Sequence, residues 1–263
     1  MPTSQKNVFA HFVGIMDCFT SETPELGVRE VARASGLTPS TAGRLMAALR
    51  DTGLLQQNPT TRLYSLGSRV LAWAGAYTSG LDIRNVALPV MVKLLNSSRE
   101  TISLYTLDGM ERVCVERLES PLTVRIVARL GRRLPLYAGS AGKAILAFLP
   151  ETEIIEYLAT IKLRAFTSNT YTDPAKLRSE LAAIKQRGYS CSVGEWLADA
   201  AGVAAPIFGS NGAVLGAISI SGPAQRFTEE NMSDYGKTLV SLTHEISAAM
   251  GYQSLSTNLE NRS

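Results

Sequence analysis

The chain of 263 residues is poor in the side chains that most often carry metal and redox chemistry: three cysteines, two histidines and two tryptophans. Cys18, Cys114 and Cys191 are odd in number, widely spaced and never arranged as CxxC. That argues against a disulfide framework and fits a reducing cytoplasm. With only His11 and His244, and no second histidine at helical spacing after His244-Glu245, a zinc site would need mostly carboxylates. No metal or cofactor is therefore expected. No apolar run approaches the ~18 residues that span a bilayer. No basic segment followed by an apolar stretch and a cleavage site opens the chain, so no signal peptide is expected. A strong charge of one sign is also lacking: 26 cationic and 23 anionic side chains leave +3. That is too little to establish a nucleic-acid partner by itself.

What is present is concentrated between Leu26 and Leu66, LGVREVARASGLTPSTAGRLMAALRDTGLLQQNPTTRLYSL. Val28, Val31 and Ala32 mark one face of a short helix, which Gly36 ends by taking the left-handed conformation. Thr38 can cap a second helix, with Pro39 at its first position. Ala42, Leu45, Met46 and Leu49 face inward, leaving Thr38, Ser40, Thr41, Gly43, Arg44 and Ala47 outward. Small polar residues with one arginine suit a helix that enters a major groove. Two short strands, residues 54–56 and 63–66, follow around Asn58-Pro59-Thr60-Thr61, with Arg62 at the loop edge placed for a phosphate or a minor groove. This is the layout of a winged helix-turn-helix; an ordinary three-helix packing domain with a hairpin is the competing reading. Within residues 1–79, seven cationic side chains face five anionic ones, so most of the small positive excess lies at this end.

An amphipathic helix over 8–19, with Val8, Phe12, Ile15, Met16 and Phe19 on one face, is expected to pack behind the reading head. Residues 67–77 read as a small apolar helix joining two domains, its stripe of Val70, Leu71, Ala74 and Tyr77 calling for cover by a second subunit. Beyond it, helical patterns over 83–95, 144–148, 174–187 and from Thr228 onward alternate with strand patterns. The strands are expected over 101–107, 112–117, 122–128, 189–193, 203–208 and 214–221, with hairpin turns at Asp108-Gly109 and Asn211-Gly212. The fold class is α+β: residues 1–66 form the winged helix-turn-helix, 67–80 a linker helix, 81–253 an antiparallel-sheet sensor domain and 254–263 a frayed tail.

One segment imitates an enzyme. Ala138-Gly139-Ser140-Ala141-Gly142 superficially fits a nucleophile elbow with His244 downstream, the basis of an alternative reading as a Ser140 hydrolase with an accessory helical domain. Pro135 interrupts the strand such an elbow needs, and His244 falls in mid-helix. A ligand-free interaction module is a third reading. The basic run Arg125, Arg129, Arg132 and Arg133 reads as a solvated face.

Four segments together resemble the IclR family of bacterial transcription regulators, over nearly the whole chain. PSTAGRLMAALRDTGLL is similar to the family's recognition helix and first wing strand, and GRRLPLYAGSAGKAILAFL to its most recognisable sensor segment. RGYSCSVGEWLADAAGVAAPIF and GAVLGAISISGPAQRFTEENM are similar to its pocket strands and final helix. The resemblance implies a winged helix-turn-helix, a linker helix and a GAF-like effector domain. It also implies a homodimer or dimer of dimers on double-stranded operator DNA, acting as repressor or activator in response to a small organic or aromatic acid. It places the effector at Ser140, Ala141, Ser192, Gly202, Ser219 and Ser221. A helix start and two serines on one strand face suit a carboxylate, and Trp196 or Tyr189 is available as an aromatic wall. From the residues alone, a close-packed helix start with strand-edge serines is an equal alternative. Pro39 and Gly43 stand where the family often has a basic residue and a histidine, which shifts the reading head onto Ser40, Thr41 and Arg44. At Ser192 and Gly202, where some relatives are more polar or carry a thiol, the departure implies a less polar ligand.

Overall fold

The computed structural model describes residues 3–20, 22–79, 82–127 and 129–253. The expected tail at 254–263, the boundary at 80/81 and Ala128 of the expected third strand lie outside the described residues. The chain divides into two compact units, Met1–Gly80 and Leu81–Ser263.

The first unit contains α1 (Thr3–Met16), α2 (Val28–Ser35), α3 (Pro39–Asp51), β1 (Leu55–Gln57), β2 (Tyr64–Leu66) and α4 (Arg69–Ser79). Glu30 Oε2 accepts the Gly27 N–H at 2.7 Å to start α2, and Gly36, at φ 69°, ends it. Thr38 Oγ1 accepts the Thr41 N–H at 3.3 Å at the start of α3. β1 and β2 pair antiparallel. Ile15, Phe19, Val31, Met46, Leu49, Leu54, Leu55 and Tyr64 form the core. Val8 was expected inside but is 50% exposed, with Phe9 and Val13 exposed beside it. Periodicity identified the apolar face of α1 but not how far along it the packing partners reach. Gly67 follows the wing because a Cβ there would lie 2.2 Å from Gly53 O. α4 starts and ends two residues later than expected, and presents Leu71 and Trp73 to solvent.

The second unit contains α5 (Asp82–Ser98), β3 (Thr101–Asp108), β4 (Glu111–Leu118), β5 (Arg133–Pro135), α6 (Ser140–Leu146), α7 (Glu151–Thr160), α8 (Pro174–Arg187), β6 (Ser190–Val193), β7 (Ala200–Phe208), β8 (Val214–Pro223) and α9 (Glu229–Ala249). Its sheet runs β5-β4-β3-β8-β7-β6, antiparallel throughout. The turns at Gly109 and Gly212 take positive φ, as the hairpin signals required. The strand expected over 122–128 is not one. β5 occupies the edge of β4 through Arg112–Leu134 pairing, and Ile126 and Val127 of the displaced segment line a cavity. The apolar residues do not share one face: Val124 is exposed, and the consecutive Ile126 and Val127 reach the cavity. α7 went unanticipated; the hydroxyl of its buried Tyr157 accepts the N–H groups of Leu136 and Tyr137 at 2.9 and 3.2 Å.

The two faces of the sheet are filled differently. Ile102, Leu104, Val203, Ala205, Ile218 and Ile220 share a core with Leu94 of α5 and with Leu239 and Ile246 of α9. Tyr105, Cys114, Ala204 and Ala217 share the other with Ala144 and Ile145 of α6 and Leu181 of α8. A register shift at Leu104/Tyr105 sets Glu116 opposite Leu104, and Glu116 pairs with Arg84 of α5 at 2.5 Å.

On the α6 side the tie is ionic. Lys143 is buried, and its Nζ donates to Glu195 Oε1 at 2.5 Å and to Cys191 O at 2.9 Å. It also lies 4.7 Å from the centre of the Tyr171 ring. The second oxygen of Glu195 accepts the Gly139 N–H at 2.9 Å. Glu180 Oε1 lies 3.7 Å from the same Nζ, so loss of Glu195 leaves Lys143 with a single, more distant carboxylate that Arg187 also engages. Glu195→Gln is expected to destabilise the fold by less than the ~3–5 kcal/mol of a fully uncompensated buried charge, because Glu180 remains near Lys143. The double variant Lys143→Met/Glu195→Gln should lose clearly less than the sum of the two single changes, as urea unfolding of all four proteins will show.

Candidate functional site

The residues singled out by sequence fall in two groups, one in each unit, and those of the second unit come together on one cavity. In the first, Ser40 and Arg44 lie exposed on α3, and Thr41 is half-buried. The Thr38 hydroxyl is engaged in the cap and donates to Thr41 Oγ1 at 2.9 Å. Gly43 is half-buried, and a Cβ there would make an ordinary contact at 3.4 Å with Val28 Cγ1 of α2. Arg62 is exposed at the wing with φ 61°, a left-handed conformation unusual for arginine. Asn58 supports that bend. Its Oδ1 accepts the N–H groups of Thr60 and Thr61 at 2.9 and 3.1 Å, and its carbonyl accepts the Arg62 N–H at 2.9 Å. Gln57 Nε2 donates to Arg62 O at 2.9 Å, closing the loop.

In the second unit, Ser140, Ala141, Ser192, Gly202, Ser219 and Ser221 all line one cavity of about 110 Å³. The strand register explains this. Ser192 pairs with Gly202 and Gly202 with Ser221, which sets the three side by side across β6, β7 and β8; Ser219, opposite Ala204, is two residues along the same strand face. α6 closes over this row. A Cβ on Gly202 would lie 3.0 Å from Ser140 Oγ, so glycine is what lets the Ser140 hydroxyl reach the sheet. Gly139, at φ 82°, supplies the turn into α6.

The aromatic wall is Trp196, together with Tyr105. Trp196 is held by Phe166, with ring centroids 4.2 Å apart, and by Arg132, whose guanidinium lies 5.1 Å from the indole centre. Tyr189 is not part of it. Its ring packs against Gly236 of α9 on the opposite side of the sheet, because β6 alternates and only Ser190 and Ser192 turn toward α6.

The basic run is not a uniformly solvated face. Arg125 pairs with Glu119 and Arg133 with Asp108 and Glu111, while Arg129 and Arg132 line the cavity. Sequence reasoning missed Arg112 altogether. It lines the same cavity and is buried, and its Nη1 donates to Ala138 O at 2.8 Å and to Pro135 O. A Cβ on Gly142 would lie 2.1 Å from Arg112 Nη1, so the small residues of the GSAG segment also make room for a guanidinium. The available signal was an arginine at an inward position of the strand Arg112-Val113-Cys114-Val115. Burial works against its charge and lowers its pKa, and burial pushes the thiol of neighbouring Cys114 up to about 12, which keeps it protonated. Ser140 and His244 are not brought together: His244 lines a different cavity with Phe148, Phe208 and Tyr252.

Comparison with known proteins agrees with this division. Residues 11–59 match the IclR helix-turn-helix domain, and residues 75–248 match the family described as bacterial transcriptional regulator IclR C-terminal. The chain is 36% identical to the HTH-type transcriptional regulator KipR of Bacillus subtilis over 87% of its own length and 91% of that protein's. It superposes on the crystal structure of Thermotoga maritima IclR with a TM-score of 0.79 at 32% identity, covering 94% of this chain and all of that one. An IclR homolog from Microbacterium hydrocarbonoxydans, crystallised with 4-hydroxybenzoate, also gives a TM-score of 0.79, at 29% identity over 92% of this chain and 98% of the other. Such relatives are regulators, not enzymes, which removes the hydrolase reading. A helix-turn-helix unit and an antiparallel sensor sheet matching both family domains place this chain in the IclR family of bacterial transcriptional regulators.

Proposed function

We propose that this protein is a cytoplasmic, effector-responsive repressor or activator that binds operator DNA as a homodimer or dimer of dimers and senses a small organic acid. The observation that carries the reading is the convergence of Ser140, Ala141, Ser192, Gly202, Ser219 and Ser221 on one cavity. The cavity is smaller than the roughly 300–1,000 Å³ pockets that hold drug-sized ligands, which suits a metabolite. Its apolar and aromatic lining, with hydroxyls and arginines among it, suits an acid with a flat or aliphatic body. The 4-hydroxybenzoate bound to the Microbacterium relative supports the same ligand class.

On the output side, Ser40, Thr41 and Arg44 of α3 enter the major groove, Thr38 holds the start of that helix, and Arg62 of the wing reaches the backbone or the minor groove. Arg44 and Arg62 are both exposed and make no ion pair among the described residues. One groove-facing arginine per copy is a lean surface, so paired copies on a repeated site are needed for useful affinity. α4 and its flanks, residues 67–80, act as the linker, with Leu71 and Trp73 supplying an apolar face for a second copy.

Gel-shift titration against the DNA upstream of its own gene tests the output. Sequence-selective, salt-sensitive retention is expected, and its absence rejects the reading. Arg44→Ala should weaken specific binding by about 1–3 kcal/mol and relax base preference; unchanged affinity removes Arg44 from base reading. For the cavity, Ser219→Ala and Ser221→Ala should each weaken effector binding roughly 10–100-fold if the hydroxyl donates to a charged oxygen, with operator affinity retained. Calorimetry with the acid that most raises thermal stability measures this, and wild-type affinity in both variants would sink the assignment.

A further inference from the structure

Arg112 combines burial with the lack of an ion pair among the described residues, unlike the ion-paired arginines of the sensor unit. Arg84, Arg117, Arg125, Arg133, Arg178, Arg187 and Arg226 each pair with a carboxylate. Arg112 is only 4% exposed, yet it makes no ion pair among the described residues. The nearby carboxylate of Glu195 is already committed to Lys143 and the Gly139 N–H. The guanidinium uses Nη1 on two backbone carbonyls and lies 5.4 Å from the centre of the Tyr105 ring, while its buried Nε–H carries no hydrogen bond. A buried cation with an unused donor on the wall of a cavity is an uncompensated charge.

The cavity has two ends. Arg112, Ser140 and Ser219 are buried, whereas Val127, Arg132 and Leu197 are exposed and mark the mouth. Among the described residues that line the cavity there is no carboxylate between Arg132 and Arg112. We propose that Arg112 is the specificity-determining anchor of the cavity. The effector is a small monocarboxylate bound with its acid group at the inner end against Arg112 and its apolar body toward Trp196 and Leu197. This rests on the effector-sensing reading and deepens it: the charge contact comes from a strand arginine, and the hydroxyls of Ser219 and Ser221 and the start of α6 add hydrogen bonds to the same acid group. The matching of a planar guanidinium to a carboxylate also predicts discrimination against the isosteric amide, which has the same shape without the charge.

The test uses the full-length protein and a panel of C2–C8 monocarboxylates, 4-hydroxybenzoate included, each paired with its primary amide. Thermal shift identifies the strongest acid, and calorimetry then measures that acid and its amide. The expected result is an acid preference of about 10–100-fold in the wild type. That preference should vanish in Arg112→Met and be reduced in Arg112→Lys. Because Nη1 also supports the chain at Pro135 and Ala138, Arg112→Met risks losing the fold. The Arg112 Nε–H resonance, assigned by its absence in Arg112→Lys, is therefore followed in wild type and should move on adding the acid and not the amide. Equal affinity for acid and amide, an unmoved Nε–H signal during acid binding, acid preference retained in a folded Arg112→Met, or no stabilisation by any acid each overturns the proposal. Operator retention is read on the same protein. Its absence rejects the regulator reading while leaving the acid result to stand, and its presence with no acid preference rejects only the role of Arg112.

Discussion

The sensor unit depends on one buried carboxylate. Glu195 lies on the loop between β6 and β7, and it neutralises Lys143 of α6 while accepting the N–H of Gly139, the residue just before that helix. Those contacts decide where α6 begins and how it lies over the sheet. The cavity is the space left between that helix start and the row of Ser192, Gly202 and Ser221, so its shape is set by the ion pair at one remove. The same loop carries Trp196, and Thr170 Oγ1 donates to Glu195 O at 2.7 Å from the opposite side. Placing a charge pair in the interior costs desolvation that an apolar pair avoids, and what it offers in return is a single geometry. In a pocket that must tell one small molecule from another, that geometry is the functional quantity.

Glycine does the complementary work. Gly142 makes room for the Arg112 guanidinium, and Gly202 makes room for the Ser140 hydroxyl. Side chains at these positions would fill the sites that polar groups now occupy. A segment that looks like a flexible glycine-rich turn is therefore a close fit around two polar groups.

How much of this was legible in the sequence depended on the range of the interactions. The helix-turn-helix could be read because its cues are local: the Gly36 turn, the Thr38-Pro39 cap and the short apolar periods fall within a few residues of what they control. The hairpins at Gly109 and Gly212 were legible for the same reason. The alternation of Ser219 and Ser221 was enough to put both hydroxyls on one face. The rest depended on long-range partners. Residues 122–127 alternate like a strand, but the edge they would have joined is taken by β5. Tyr189 and Ser192 lie three residues apart, and only the sheet shows that they face opposite sides. Arg112 was missed because an arginine between Glu111 and Val113 looks like the solvent side of a strand. Its burial comes from α6, which begins 28 residues later.

The segment 121–127, which brings Ile126 and Val127 to the cavity, is secured in a particular way. Arg226, whose guanidinium is fixed by the buried Glu100, donates from Nη2 to the carbonyl oxygen of Val124 at 3.0 Å. At the entry to the segment, the Ser120 hydroxyl donates to Arg99 O at 2.6 Å. Both attachments are to or from groups that do not involve the side chains of Ile126 and Val127, and the Val124 attachment grips the main chain, which every amino acid carries. Residues lining the cavity are thus uncoupled from residues holding the segment in place. Substitutions at 126 and 127 therefore alter the contour of the cavity without loosening its frame, so its shape can be retuned by point changes there while the architecture persists.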